Sequence, residues 1–321
     1  MQVFLVTGTA GFIGFHLARL LLARGNGVIG IDNLNDYYDV DLKRSRLGVL
    51  HRYNNFEFVE GDITDLEMLR FLFANKHFEV VCHFAAQAGV RYSIENPDVF
   101  LYSNIVGFIN VLDCCIKFGR RKMIYASSSS VYGDSLVLPF SERQNCKPKN
   151  LYARTKLDNE YYAQLYSNRW GVDMIGLRMF SVYGSWGRPD MACAIFAKAI
   201  SDGSPLVIFG DGTSKRAFTY VEDVVVAIEK LISLLVSNNI GSEVFNIGAS
   251  ESISVITLVE KLEHLFGKKA NKFFKSENTE EIHIAEADCT KLLNTIGYKP
   301  STPFDAGLDA FVDWYRLYYR V

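Results

Sequence analysis

The stretch Val3-Phe-Leu-Val6, followed closely by Gly8-Thr-Ala-Gly11-Phe-Ile-Gly14, decides the fold of this 321-residue chain. Its first four residues form a continuous apolar run, which is typical of a strand covered on both faces. The three glycines leave room for backbone amides at the start of a helix to meet a pyrophosphate. The spacing is G-x-x-G-x-x-G rather than the commoner G-x-G-x-x-G, but the mechanics are the same. This stretch therefore predicts a strand, a phosphate-binding loop and a helix.

Apolar runs that alternate with helical patterns extend this unit along the chain. Strands are predicted at 28–31, 56–59, 80–84, 122–126 and 174–177, with helical patterns between them. Such alternation indicates an α/β fold with a doubly wound, parallel, Rossmann-type sheet. We expect residues 1–177 to form this NAD-binding domain. Residues 178–321 are expected to form a smaller mixed C-terminal lobe that binds substrate, with part of 218–248 returning to the first domain.

Composition is that of an ordinary globular protein. Apolar residues make up 49% of the chain and the formal net charge is −2, so no basic bias points to nucleic acid. The six cysteines show no C-x-x-C pairing and are typical of reduced thiols in a cytoplasmic protein. The apolar stretch 12–31 is broken by His16, Arg19 and Arg24, so no membrane span is expected. No cluster has metal-ligand spacing, and no metal is expected.

Asp32 lies 24 residues after Gly8, at the carboxyl end of the second predicted strand. A carboxylate at that position can accept hydrogen bonds from an adenosine ribose and would repel a 2′-phosphate, which favours NAD over NADP. The alternative is a tight turn followed by a solvated acid. Asp62 and Ile63 follow a later strand and are expected near adenine. The cofactor-binding residues expected in this part of the chain are Gly8, Gly11, Phe12, Ile13, Gly14, Asp32, Asn33, Asp62 and Ile63.

Tyr152 and Lys156, in Tyr152-Ala-Arg-Thr-Lys156, lie one helical turn apart and therefore share one face of a helix. A cation beside a phenol favours the phenolate. The pair predicts a general base that takes a proton from a substrate hydroxyl while a nicotinamide takes the hydride. A serine run, Ser127 to Ser130, precedes Val131-Tyr132-Gly133. Serines at this place could also serve only to cap backbone groups.

Together these motifs resemble the extended short-chain dehydrogenase/reductase family of nucleotide-sugar enzymes, over nearly the whole chain. Beyond the segments quoted above, the resemblance rests on His83-Phe-Ala-Ala86, Arg178-Met-Phe-Ser-Val-Tyr-Gly184 and Phe218-Thr-Tyr-Val-Glu-Asp223. Three further segments resemble the family members that epimerise UDP-glucuronic acid at C4. They are Asp32-Asn-Leu-Asn-Asp-Tyr-Tyr-Asp39, Ala85-Ala-Gln-Ala-Gly-Val-Arg-Tyr-Ser93 and Trp186-Gly-Arg-Pro-Asp190.

The resemblance implies roles for single residues. Tyr152 would be the base, Lys156 its partner and a ligand of the nicotinamide ribose, and Ser128 a hydroxyl that shares the sugar 4-OH. The cofactor would be lined by Phe84, Ala85, Ala86 and Ser127, with Asn104 behind it. Arg216 would contact the diphosphate, Val207 to Phe209 would flank uracil, and the remaining substrate contacts would be Gln87, Arg91, Ser129, Ser130, Ser181 and Arg188. Arg91 and Arg188 could instead form surface ion pairs.

The implied reaction is 4-epimerisation of UDP-glucuronic acid through a transient 4-keto sugar, without decarboxylation and without net use of NAD. A 4-keto uronic acid loses CO₂ easily when its carboxylate stands perpendicular to the carbonyl plane. Ser129, Ser130 and Ser181 offer neutral hydroxyls that could hold the carboxylate away from that geometry. Dehydratases of the family place acidic residues in this run, and decarboxylases typically place a Glu there.

Two departures and two rival functions accompany this expectation. Ala217 follows Arg216 where relatives commonly have Asp, and Ser181 stands where other sugar epimerases often have Asn. One rival is a 4-epimerase of a neutral sugar nucleotide, UDP-glucose or UDP-N-acetylglucosamine. The other is a non-catalytic NAD-binding sensor on the same fold. The resemblance also implies a homodimer, formed through paired helices that include the one carrying Tyr152.

Overall fold

The secondary structure alternates strands and helices through the first half of the chain, in a computed structural model that describes residues 1–133, 135, 137–276 and 284–321. The strands are β1 (Val3–Thr7), β2 (Gly27–Asp32), β3 (Phe56–Glu60), β4 (Val80–His83), β5 (Lys122–Ala126), β6 (Asp173–Met179), β7 (Ser181–Tyr183), β8 (Pro205–Phe209), β9 (Lys215–Arg216), β10 (Phe218–Tyr220), β11 (Ser242–Ile247), β12 (Ile253–Ser254), β13 (Asn271–Lys275) and β14 (Ile284–Ala285). The helices are α1 (Phe12–Ala23), α2 (Val40–Leu50), α3 (Leu66–Asn75), α4 (Val90–Glu95), α5 (Pro97–Phe100), α6 (Gly107–Lys117), α7 (Leu151–Trp170), α8 (Ala192–Asp202), α9 (Val221–Ser237), α10 (Val255–Phe266), α11 (Thr290–Ile296) and α12 (Phe304–Tyr319). A π-helical segment (Leu101–Val106) joins α5 to α6, and a 3₁₀ turn (Ser129–Tyr132) follows β5.

A seven-stranded parallel sheet, in the order β11-β6-β5-β4-β1-β2-β3, forms the centre of the molecule. Helices cover both faces: Leu17 of α1 and Val225 of α9 belong to the apolar core on one face, and Leu69 of α3 and Val111 of α6 belong to the core on the other. The prediction of an α/β fold with a doubly wound parallel sheet is confirmed. Because the strand order reverses between β1 and β4, a crevice opens there at the carboxyl ends of the strands.

The sheet also takes a strand from beyond residue 178. Strand β11 pairs in parallel with β6, with Phe245 opposite Leu177, and it forms one edge of the sheet. Helix α9 packs against α1 on the sheet's face. The chain therefore leaves the sheet after β6 and returns to it through α9 and β11. Where the boundary between the two domains lies stays a prediction.

The rest of the C-terminal half forms a lobe with its own apolar core. Ile200 of α8, Leu262 of α10 and Phe311 of α12 are buried together in it. Its short strands pair in both senses, since β12 runs antiparallel to β9 while β13 runs parallel to β8. The lobe is therefore mixed, as expected. Strand β8 and the start of α8 face the carboxyl edge of the main sheet, and both line the cavity described below.

A continuous helical stretch, Pro97–Lys117, packs against α7. In the described part of the chain it is the one helix long and apolar enough to cross a membrane, a test that buried core helices also pass. In this structure 44% of its most apolar window is buried. Leu101 and Tyr102, on its outer side, are exposed.

Candidate active site

One cavity of about 910 Å³ extends from the glycine loop at the end of β1 to strand β8 of the lobe. All the site residues predicted from the sequence line it, with the exception of Asn104. The predicted cofactor and catalytic residues in its wall are Gly8, Gly11, Phe12, Ile13, Gly14, Asp32, Asn33, Asp62, Ile63, Phe84, Ala85, Ala86, Ser127, Ser128, Tyr152 and Lys156. The predicted substrate residues in its wall are Gln87, Arg91, Ser129, Ser130, Ser181, Arg188, Val207, Phe209 and Arg216.

The glycine loop passes so close to the end of β4 that a side chain on its first glycine would collide with backbone. Gly8 has φ +71°, and a Cβ there would lie 2.7 Å from the amide nitrogen of Ala85. Gly11 caps α1 without a side-chain hydrogen bond, and the first turn of α1 has no acidic residue. The first amides of a helix have no intrahelical partner, so this end of α1 suits a pyrophosphate.

Asp32 is buried at the carboxyl end of β2. Its Oδ2 accepts the amide of Ala10 and its Oδ1 accepts the amide of Leu34, each at 3.0 Å. Burial raises the pKa of Asp32, and these hydrogen bonds and the charge of Lys43 act against that rise. A carboxylate has about four acceptor sites, so two remain for the hydroxyls of an adenosine ribose. Glycine loop and acid thus fit a bound NAD, which the chemistry of this donor set favours over NADP.

Tyr152, Lys156 and Ser128 meet where β5 ends and α7 begins. Lys156 is buried and donates from Nζ to the carbonyl oxygen of Ala126 at 3.1 Å, and burial lowers the pKa of its amine to about 8. Burial also raises the pKa of Tyr152, while a hydrogen bond with Ser128 and the charge of Arg188 oppose that rise. This differs from the sequence-based expectation, in which Lys156 supplied the charge that favours the phenolate. In the protein alone, that charge comes from Arg188.

The serine run combines the two roles that the sequence left open. Ser128 caps the 3₁₀ turn, since its Oγ accepts the amide of Ser130 at 3.2 Å and lies 2.9 Å from the Ser130 hydroxyl. Ser128, Ser129 and Ser130 also line the cavity. Ser127 donates its hydroxyl to Glu160 at 2.5 Å, which ties the start of the run to α7. The cap therefore fixes the direction of hydroxyls that face the site.

Asn104 lies outside the cavity wall, buried behind the loop that follows β4. Its side chain accepts the amide of Gln87 at 2.8 Å and donates both to the Gln87 carbonyl at 3.0 Å and to Thr155 Oγ1 at 3.1 Å. It was expected among the cofactor-binding residues, in a position behind the cofactor. Because its amide is used by these neighbours, it holds the cofactor loop against α7 and does not reach the cavity.

The two arginines predicted at the sugar end differ in their surroundings. Arg188 pairs side-on with Asp190, with 2.9 Å from Nε to Oδ1 and 2.5 Å from Nη2 to Oδ2. Its side chain is only 21% exposed, so this is not the surface ion pair that the sequence left open. Arg91 is exposed at the cavity rim, and its guanidinium carbon lies 4.0 Å from the ring centre of Phe209.

Sequence reasoning assigned no role to several residues that the structure places in the cavity wall. Tyr37 and Asp190 lie within segments quoted for the resemblance, which was the available signal. Lys43, Lys149 and Glu95 gave no signal in the sequence, because their positions depend on how segments distant in the chain pack together. Polar, charged and aromatic residues without an assigned role include Asn35, Tyr37, Tyr38, Lys43, Tyr92, Glu95, Ser103, Lys149, Asn150 and Asp190. Ala217 is fully buried in the core beside the site.

The Rossmann-type sheet, the glycine loop, the acid after β2 and the Tyr152–Lys156 pair define a dinucleotide-dependent enzyme. Comparison with known families agrees: the model of the NAD dependent epimerase/dehydratase family matches residues 4–248, and the chain belongs to that family. Membership confirms the resemblance stated from the sequence. It also confirms NAD as the cofactor.

Relatives narrow the comparison further. UDP-glucuronate 4-epimerase 4 of Arabidopsis thaliana is 43% identical over 330 residues, which cover 98% of this chain and 75% of that protein. A crystal structure of UDP-glucuronic acid 4-epimerase from Bacillus cereus, in complex with UDP-glucuronic acid and NAD, is 33% identical with a TM-score of 0.92, and the match covers 99% and 100% of the two chains. UDP-glucose 4-epimerase from Thermotoga maritima, with UDP-glucose, is 31% identical with a TM-score of 0.88 over 99% and 100%.

Proposed function

We propose that this protein is an NAD-dependent 4-epimerase that interconverts UDP-glucuronic acid and UDP-galacturonic acid without decarboxylation. The observation that carries the proposal is the position of Ser128, Ser129 and Ser130 in one cavity with Tyr152 and Lys156. This wall offers neutral hydroxyls, where a dehydratase or a decarboxylase would need an acid. The relatives named for UDP-glucuronic acid support the same choice of substrate.

Tyr152 takes the proton of the sugar 4-OH, and Ser128 shares that hydroxyl through a hydrogen bond. A bound NAD, held by the glycine loop and Asp32, would supply the hydride acceptor for C4 and the hydride donor for the return of that hydride to the other face of the sugar. Between these steps the 4-keto sugar must rotate so that its other face meets the nicotinamide, while the UDP group stays in place. We assign that anchoring to Arg216 at the diphosphate and to Val207 and Phe209 at uracil. Tyr152 then returns its proton to the inverted oxygen.

The sugar carboxylate is assigned to Ser129, Ser130, Ser181 and Arg188. Arg188 is the better candidate of the two arginines because its charge reaches Tyr152, whose pKa it lowers against the effect of burial. Arg91 stacks on Phe209, at the end of the cavity assigned to uracil. Hydroxyls of Ser129 and Ser130 hold the carboxylate without forcing it perpendicular to the C4 carbonyl. The bond to CO₂ then stays poorly aligned for cleavage.

The neutral-sugar alternative keeps one supporting observation, the similarity to an epimerase solved with UDP-glucose. Proton NMR of UDP-glucuronic acid with purified protein, without added NAD, separates the possibilities. Formation of UDP-galacturonic acid until its ratio to UDP-glucuronic acid is constant supports the proposal, and it also supports a cofactor that is tightly held and recycled. Pentose signals would contradict the serine argument. An unchanged spectrum would reject the proposed substrate. UDP-glucose and UDP-N-acetylglucosamine would then be tested as substrates in the same assay.

The working form is proposed to be a homodimer. Four apolar side chains on the outer side of α7 and of the helix packed against it are 46–65% exposed: Leu101, Tyr102, Tyr161 and Leu165. A second copy of this chain would cover them, as a symmetric interface requires. A cytoplasmic location, with no nucleic acid or membrane as partner, completes the proposal and rests on composition and on the nucleotide-sugar substrate.

A further inference from the structure

The loop after β2 reaches across to the sugar end of the cavity. We call residues 33–39 the strap. Tyr37 of the strap donates its hydroxyl to Asp190 Oδ2 at 3.1 Å, and its ring centre lies 4.7 Å from that of Tyr92. Gly89, with φ +111°, leaves the space for this hydroxyl, because a Cβ at Gly89 would collide with the Tyr37 oxygen. A segment that starts at the expected adenosine ribose site thus ends against the substrate side.

Asp190, the acceptor of this bond, is also the residue that orients Arg188. Nε and Nη2 of Arg188 are held by the two carboxylate oxygens of Asp190. Within the described residues, Nη1 of Arg188 has no hydrogen-bond partner. Because a guanidinium is a rigid planar fork, fixing two nitrogens fixes the direction of the third. The direction of Arg188 therefore depends on the position of the Asp190 carboxylate.

Helix α2 holds the strap from behind. Lys43 donates from Nζ to the Asn35 carbonyl at 2.6 Å and to Asn35 Oδ1 at 2.9 Å. Arg46, fully buried, donates to the Tyr38 hydroxyl at 2.7 Å and to the Trp186 carbonyl at 2.6 Å. Helix α2 therefore fixes both the strap and the loop that carries Arg188 and Asp190.

The backbone of both loops is unusual at one position each. Leu34 has φ 50° and Trp186 has φ 61°, a region that residues other than glycine seldom enter. Such conformations persist only where the surroundings determine them, and they concentrate at functional sites. Strap and Arg188 loop are thus both held in place on the two sides of the Tyr37–Asp190 bond.

We propose that Tyr37 is a positioning residue for recognition of the sugar acid: through Asp190 it directs Arg188 at the carboxylate of the substrate. The inference rests on the proposed function, since it takes a uronic acid as the ligand of Arg188. It also makes the strap, which is held by the cofactor half of the molecule, a determinant of selectivity for an acidic over a neutral sugar.

The test compares Tyr37→Phe with Tyr298→Phe. Tyr298 donates to Asp223 at 3.1 Å, so both variants lose one phenol–carboxylate bond of the same length, but Tyr298 lies away from the cavity. Titration calorimetry on NAD-loaded protein, in the Tyr152→Phe background to stop turnover, gives Kd for UDP-glucuronic acid, UDP-glucose and UDP. We expect Tyr37→Phe to raise the Kd for UDP-glucuronic acid about 5- to 20-fold and to change the Kd for UDP-glucose and for UDP less than about 2-fold. Tyr298→Phe should leave all three Kd values within about 2-fold of those of the protein with Tyr37 and Tyr298 intact.

A thermodynamic cycle with Asp190→Asn tests the path of the effect. If Tyr37 acts through Asp190, adding Tyr37→Phe to Asp190→Asn should not change the ratio of the Kd values for UDP-glucose and UDP-glucuronic acid any further. An unchanged ratio of Kd values in Tyr37→Phe, or an equal loss for all three ligands, overturns the inference. Failure of the proposed function shows elsewhere, in a wild-type protein that does not convert UDP-glucuronic acid in the NMR assay. A wild type without preference for the acid would overturn both.

Discussion

The Nζ atom of Lys156 lies 6.0 Å from the ring centre of Tyr152 and hydrogen-bonds the carbonyl oxygen of Ala126. One helical turn places both side chains on the cavity face of α7, but they do not bind each other directly. The space beside them is where the nicotinamide ribose is expected. Lys156 is therefore placed toward that ribose rather than against the phenol, and Tyr152 remains the group that we propose touches the sugar hydroxyl.

Replacing Tyr152 by Phe should lower kcat about 10²- to 10⁴-fold, the usual loss on removal of a general acid–base group. Binding of NAD and UDP should stay within about 2-fold, because the ring remains. Initial rates of UDP-galacturonic acid formation and calorimetric titration with UDP measure the two effects. Tyr166→Phe, on the same helix and outside the cavity, removes an exposed hydrogen bond from its hydroxyl to Asp113 and is the control. A Tyr152→Phe variant that keeps most of its rate would show that the base is assigned wrongly.

Replacing Lys156 by Met should abolish turnover and stabilise the folded protein. Burial lowers the pKa of Lys156 from 10.5 to about 8, so below pH 8 the folded state carries a charge that burial disfavours. The unfolded chain binds more protons between about pH 8 and 10.5, and stability therefore rises with pH across that window. The penalty at pH 7 is about 3 kcal/mol, at 1.36 kcal/mol per unit.

Urea denaturation at pH 7 and at pH 9.5 measures this difference. The free energy of unfolding of Lys156→Met should exceed that of the wild type most at pH 7, and the difference should become smaller at pH 9.5. Lys198→Met, which changes an exposed lysine, should show no such narrowing. A gap of equal size at both pH values would mean that methionine stabilises by packing alone.

Local sequence patterns predicted much of this site, while contacts between distant loops were beyond them. The first six strands of the sheet follow from apolar runs, and the start of α1 follows from the glycines Gly8, Gly11 and Gly14. Tyr37 and Asp190 are 153 positions apart, and nothing in either segment says that the loops meet. The pKa of Lys156 was likewise out of reach, since periodicity gives the face of a helix but not how deeply that face is buried.

Replacing both Ser129 and Ser130 by Ala should weaken the hold on the sugar carboxylate and release a pentose by-product. The 4-keto intermediate would then reach the perpendicular geometry more often. Proton NMR of long incubations gives the ratio of UDP-pentose to UDP-galacturonic acid, which should rise at least about 5-fold for the loss of two hydrogen bonds. Ser185→Ala removes a hydroxyl that donates to Ala310, outside the cavity, and should change nothing. A slower double variant without pentose would count against the geometric argument.

Replacing Glu160 by Gln should destabilise the fold by about 3–5 kcal/mol, as expected when one partner of a buried ion pair is removed. Glu160 binds Arg178 in a side-on pair, with 2.9 Å to Nε and 2.6 Å to Nη2, and both side chains are at most 10% exposed. Asp158→Asn is the matched control on the same helix. It breaks an i,i+4 pair with Arg154 in which the Arg154 side chain is 63% exposed and the Asp158 side chain 28%, and such surface pairs contribute less than about 1 kcal/mol. An equal decrease in the free energy of unfolding for both variants would mean that the Arg178 pair contributes no more stability than the Arg154 pair.

Replacing Leu165 by Glu should convert the proposed homodimer into monomers. Leu165 is 46% exposed on α7, the helix that packs against the stretch carrying the exposed Leu101 and Tyr102, and a charge within a symmetric apolar interface is placed in an apolar environment in both copies. Light scattering during size-exclusion chromatography should give twice the chain mass of 36.3 kDa for the wild type and the chain mass for the variant. Phe71→Glu, at a 71% exposed position on α3, should stay dimeric. A wild type that elutes as a monomer at micromolar concentration would leave this apolar face without the partner proposed for it, and a dimeric Leu165→Glu would place the interface elsewhere.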